Sequence, residues 1–116
     1  MEFKGISKVF STVGDQQYNH IGVFWDELSE RYGRENLRGL GYNWTSTSIE
    51  YVIGLVVGEI EGWNMCVSLP EDGWERITGR TENLKEIYNA IYKDGSLRYE
   101  IEMFDDNGNC IIDIVR

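Results

Sequence analysis

Residues 97–115 read LRYEIEMFDDNGNCIIDIV. Two alternating, β-branched runs flank Asp106-Asn107-Gly108-Asn109. An Asn-Gly pair between such runs is the strongest short-range signal for a β-hairpin. The stretch therefore predicts strands over 97–104 and 109–115. With Asn107-Gly108 as a two-residue loop, Ile101 faces Ile114, Met103 faces Ile112 and Glu102 faces Asp113. Side chains alternate between faces, so Tyr99, Ile101 and Met103 join Cys110, Ile112 and Ile114 on the face expected to meet helices. Glu100, Glu102 and Phe104 join Ile111 and Asp113 on the other. Like charges directly across an antiparallel pair are destabilising. Glu102 and Asp113 thus read as a solvated outer face, or as a surface that awaits a cation or holds one carboxyl protonated because its neighbour raises its pKa.

A similar stretch lies 60 residues upstream, where Leu37-Arg38 opens strands expected over 38–45 and 50–60. At that offset Tyr42 occupies the place of Glu102, Trp44 that of Phe104 and Tyr51 that of Ile111. The face that is acidic in the second hairpin is aromatic and aliphatic in the first: Leu40, Tyr42, Trp44, Tyr51, Ile53 and Leu55. Such bulk is unusual on a plain solvent face. Opposite lie Gly39, Gly41, Val52 and Gly54, which leave room for Phe24 and Trp25 of a first helix. That helix is predicted over 17–33 by Tyr18, Ile21, Trp25, Leu28 and Tyr32 at helical spacing, with Gly33 as its stop. A second, capped by Thr81, carries Leu84, Ile87, Tyr88, Ile91 and Tyr92 and stops at Gly95. Strands are also expected over 6–13 and 74–80, with a short apolar piece at Met65 to Leu69 ended by Pro70. The order is strand, helix, hairpin, twice over. It predicts a single domain spanning 1–116, duplicated internally as about 6–60 and 63–116.

Composition narrows the function. The 116 residues suffice for one domain. With 20 Asp+Glu against 11 Lys+Arg the net charge is −9, which argues against nucleic acid and anionic membranes as partners. No apolar run is long enough to span a bilayer, and the N-terminus lacks the pattern of a signal peptide. A cytoplasmic location is expected, with Cys66 and Cys110 as two buried thiols. His20 is the single histidine, and neither a Walker A run nor a dinucleotide-binding fingerprint is present. No cofactor and no metal are expected. The unusual feature is 4 Trp, 7 Tyr and 4 Phe in an acidic chain. Aromatic faces beside carboxylates suit flat, amphipathic, cationic molecules.

Several pieces, in order, resemble one family. They are Ile21 and Trp25 on the first helix, Gly41-Tyr42-Asn43, and Tyr51-Val52-Ile53-Gly54-Leu55-Val56-Val57. Next come Leu69-Pro70 before Gly73-Trp74-Glu75-Arg76-Ile77, then Asn83-Leu84, and Ile101-Glu102-Met103-Phe104. The pattern resembles the GyrI-like small-molecule-binding domain, also found as the effector-binding domain of multidrug-responsive transcription activators, here in a standalone form. The resemblance implies an α+β fold of two strand-helix-strand-strand modules lining one cleft. It places the family's pocket acid on Glu102 and its aromatic positions on Tyr42 and Trp74.

The sequence therefore leads us to expect helices on one side of an antiparallel sheet and a ligand cleft on the other. The expected ligand-binding residues are Glu102, Tyr42, Trp74, Trp44, Tyr51, Trp25 and Asp113. The expected activity is binding of amphipathic aromatic cations, with a small molecule as partner. The alternatives are a hydrolase of cyclopropane-containing cytotoxins, which the resemblance implies through its standalone members, with Glu102 as acid or base, or an acidic module that inhibits a protein partner.

Overall fold

Seven extended segments, the central ones buried on both faces, and helical spacing in two others set the architecture. The computed structural model describes residues 1–116. Its elements are β1 (Glu2–Ser11), α1 (Gln17–Tyr32), β2 (Leu37–Tyr42), β3 (Ser48–Leu55), β4 (Met65–Ser68), β5 (Glu75–Arg80), α2 (Leu84–Lys93), β6 (Tyr99–Phe104) and β7 (Asn109–Val115). The strands form one open sheet in the order β4-β1-β3-β2-β6-β7-β5, and all neighbouring pairs are antiparallel. The fold is α+β.

Both helices cover one face of this sheet. Phe24 and Trp25 of α1 and Tyr88 and Ile91 of α2 are buried with Tyr51, Ile53, Phe104, Cys110, Ile112 and Ile114. The helix at α1 ends where expected, at Gly33, whose φ of 85° favours glycine and whose N–H reaches the Ser29 carbonyl. Thr81 does not cap α2 with its side chain; it opens a single 3₁₀ turn that leads into the helix.

The opposite face has its own core. Leu40, Tyr42, Val52 and Ile101 lie under Phe3, Val67 and Leu69. Phe3 gets there because β1 changes partners along its length. Ile6–Ser11 pair with β3, while Glu2–Gly5 pair with β4. At the crossing point a Cβ on Gly5 would strike the Ile53 carbonyl, and one on Gly54 would strike that of Lys4, so both positions need glycine. The first strand thus begins earlier than expected, at Glu2, and the strand expected over 50–60 stops at Leu55.

Register is where the structure departs most from the sequence expectation. The β6–β7 loop holds three residues, Asp106-Asn107-Gly108, closed by the Asp105 N–H on the Asn109 carbonyl at 3.1 Å. A two-residue type I′ turn needs positive φ at both central residues, and only Gly108, at 80°, has it. The Asp105 carboxylate selects the longer loop by accepting hydrogen bonds from the Asn107 and Asn109 N–H groups, each at 2.9 Å. The pairs become Glu102↔Ile112 and Ile101↔Asp113. Glu102 therefore does not face Asp113, and the acidic pair expected across the hairpin does not form. Likewise Gly41 pairs with Tyr51 and Tyr42 with Glu50. Tyr51 and Ile53 share a face with Gly39 and Gly41, not with Leu40 and Tyr42. A one-residue slip exchanges the faces of a whole strand.

Candidate functional site

Glu100 and Glu102 alternate along β6 and so emerge on one face, the helix face. Their partners on the neighbouring strand are Gly41 and Gly39. The missing side chains are what make the site. A Cβ on Gly41 would lie 2.7 Å from Glu100 Oε1, and one on Gly39 would overlap the Tyr51 hydroxyl. The two glycines thus give Glu100 and Tyr51 the space over β2 that the sequence reading assigned to Phe24 and Trp25.

A hydrogen-bonded chain follows. Trp25 Nε1 donates to the Tyr51 hydroxyl at 2.8 Å, and that hydroxyl donates to Glu102 Oε1. Tyr88 donates to Glu102 Oε2 at 2.7 Å, and Tyr92 to Glu100 Oε2 at 3.3 Å. Tyr88 and Tyr92, one turn apart on α2, stack with ring centres 5.6 Å apart. Trp44 meets Tyr92 edge-on, and Phe104 meets Trp25 in the same way. Between the two helices these groups line a cleft of about 730 Å³. Tyr18 and Trp25 enter from α1, Tyr88 and Tyr92 from α2, and Tyr51, Glu100 and Glu102 from the sheet.

The electrostatics are unusual for so acidic a site. Both carboxyls are only 4% exposed, and neither belongs to an ion pair. Burial pushes the Glu100 carboxyl well above the ordinary carboxylic range, and the neighbouring Glu102 pushes it further. Burial also raises Glu102, but the Tyr51 and Tyr88 hydroxyls oppose that rise by favouring its anion. The tyrosines move upward, mainly through burial and then through the carboxylates. Tyr18 reaches about 12, and Tyr51, Tyr88 and Tyr92 are all raised, so all four remain neutral donors. The charged residues at the mouth are engaged with each other: Arg34 with Asp26 at 2.6 Å and Lys85 with Asp15 at 3.0 Å. No group of three His, Cys, Asp or Glu side chains is placed to hold a metal ion.

Of the residues singled out from sequence, Glu102, Tyr51, Trp25 and Trp44 line this cleft. Tyr42, Trp74 and Asp113 do not. Tyr42 is buried in the core of the opposite face, stacked on Tyr99, and Trp74 packs against the same core with its Nε1 on the Pro70 carbonyl. Asp113 shares that side of the sheet, where it binds Arg76 at 2.8 Å. The face expected to be open is the one roofed by Phe3, Val67 and Leu69, and the cleft lies on the helix side instead. Sequence reasoning missed Glu100, Tyr18, Tyr88 and Tyr92 as site residues. Their signals were the Glu-x-Glu spacing on one strand and the Tyr-x-x-x-Tyr spacing on α2. Cys66 is exposed and Cys110 buried, and they form no disulfide. Trp63, on the 56–64 segment, lies under the Lys4 ammonium, 5.3 Å from its ring centre. No helix is long and apolar enough to cross a membrane.

Comparisons with protein-family models, with curated proteins and with solved structures returned no match for this chain.

Proposed function

We propose that this chain binds flat, amphipathic organic cations in the cleft between α1 and α2, with Glu102 as their counter-ion. The observation that carries the reading is a buried, tyrosine-held carboxylate with no cationic partner at the base of an aromatic cleft. An unpaired buried charge is costly, and a ligand cation removes that cost. The ring faces around it attract cations and provide apolar area. The reading keeps the acid that the resemblance to GyrI-like effector-binding domains implies, Glu102, but not its aromatic positions, Tyr42 and Trp74, which lie on the other face.

We also read the chain as two strand-helix-strand-strand modules. With β4 set aside, the sheet order is symmetric about the β2–β6 pair, β1 matching β5, β3 matching β7 and β2 matching β6. The hairpin registers superpose at an offset of 61, which sets Gly41 on Glu102 and Tyr51 on Ile112. The two modules would then contribute different halves of one site: space from the glycines of the first, carboxyls from the second.

The alternatives find less support. Both Glu102 oxygens are occupied by phenol hydroxyls, which suits a held anion better than a proton-transferring base. An acidic inhibitory surface needs clustered exposed charge, and these two carboxyls are buried.

A fluorescence titration with N-methylacridinium tests the proposal, with the tryptophans as reporters. Binding should quench them, and Glu102→Gln should weaken affinity about tenfold or more, since two unit charges about 4 Å apart attract by roughly 1–4 kcal/mol between bulk water and a protein surface. Equal affinity in the variant would overturn the counter-ion role.

A further inference from the structure

The two carboxyls of the cleft are not equivalent. Glu100 and Glu102 are separated by about 7 Å of strand, the rise of two residues. Glu102 is equipped to remain an anion. Trp25 donates to the Tyr51 oxygen, which turns the Tyr51 proton toward Glu102, and Tyr88 supplies a second donor. Glu100 is equally buried, yet its one close donor is Tyr92 at 3.3 Å, and Tyr88, which also favours its anion, makes its short 2.7 Å bond to Glu102 instead. Two anions this close in a low-dielectric site repel, and a proton on the one held by weaker donors relieves the repulsion. Burial and the charge on Glu102 both favour that proton.

Nothing else facing the pair replaces it. Tyr18 from α1, Tyr51 from β3, Tyr88 and Tyr92 from α2 and Cys110 from β7 all have their ionisation pushed upward and stay neutral. At the mouth, Arg34 and Lys85 are held by Asp26 and Asp15, and Glu82 lies 3.9 Å from Arg80.

We propose that Glu100 is a proton-exchanging second counter-ion, so that the cleft takes organic monocations against Glu102 alone and admits flat aromatic dications by releasing the Glu100 proton to water. The inference rests on the cation-binding reading above. In both cases the loaded cleft is neutral. A single positive charge balances Glu102, or two balance Glu102 and an ionised Glu100. The carboxyl spacing suits a biaryl dication with one charge on each ring.

Calorimetric titration in buffers of different ionisation enthalpy counts the protons. The probes are methyl viologen and N-methyl-p-phenylpyridinium, which share an outline and differ by one charge. Methyl viologen is expected to release about one proton per molecule bound, its Kd tightening by up to roughly tenfold per pH unit while Glu100 stays protonated in the free protein. The monocation is expected to release none and to bind with a flat pH profile. In Glu100→Gln, where the amide mimics the protonated acid, the dication should lose both its proton release and its pH dependence. The comparison of the two probes on the unmodified protein needs no variant at all. Methyl viologen binding without proton release, equal release by both probes, or binding of the monocation alone would each overturn the inference and leave the cation-binding reading standing. Binding of neither cation would overturn both.

Discussion

Glu102, 4% exposed, is held by two hydroxyls, and one of them, Tyr51, is itself only 1% exposed and anchored by Trp25. Removing the Tyr51 hydroxyl leaves Glu102 with a single donor and the Trp25 N–H without an acceptor. Buried groups stripped of a partner cost about 1–3 kcal/mol. Tyr51→Phe should lower stability by that amount in denaturant unfolding at neutral pH. It should also raise the Glu102 pKa, because a bond favouring the anion is gone, and weaken cation binding. Glu100 carries a pH dependence of its own. Its folded pKa lies above the unfolded value, so the folded state holds a proton that the unfolded chain releases. That contribution is fully favourable below the unfolded carboxylic pKa and is lost as pH rises toward the folded one. Within that window stability should fall by about 1.4 kcal/mol per pH unit for the one proton. Glu100→Gln should remove this slope and melt above the unmodified protein at neutral pH. A parallel Tm profile for the two proteins would refute the assignment.

At the scale of elements, two glycines have contrary roles. Gly39 gives up its side-chain space to the Tyr51 hydroxyl, whereas Gly22, on α1, has nothing within 4 Å of a Cβ. Gly39→Ala should therefore cost about 1–3 kcal/mol through overpacking and displace Tyr51 from Glu102. Gly22→Ala should add about 0.5–1 kcal/mol, since alanine loses less entropy in a helix. Thermal melts of the two variants should move in opposite directions. The helices were legible because their apolar residues recur every three or four positions and Gly33 ends the first. The hairpins were legible as hairpins, but their register was not. Asn107-Gly108 fits the centre of a two-residue loop and also the end of a three-residue one, and the side-chain bonds of Asp105 decide between them.

At the scale of the molecule, a sheet with a core on each face has two sides that composition cannot tell apart. Trp44 leaves the plane of β2 after Asn43, whose φ is 51°, and reaches the cleft, while Trp74 serves the other side. Trp44→Ala should weaken binding of N-methyl-p-phenylpyridinium by about 0.5–2 kcal/mol, the range of a cation–π contact. Trp74→Phe should leave that affinity unchanged. The reverse pattern, measured in the same calorimeter, would move the site to the opposite face.

The amino-acid sequence by itself determined the order of strands and helices, and it singled out Glu102, which lines the cleft, and the aromatic character of its surroundings. These depend on local periodicity and residue chemistry. Only the tertiary structure decided which face each strand presents to the helices, and hence that Glu100, Tyr88 and Tyr92 accompany Glu102 while Tyr42, Trp74 and Asp113 do not. The reason is geometric. A strand repeats every two residues, so one more residue in a turn turns the whole strand over, and the strand's own pattern of apolar residues is compatible with either side when both faces are buried.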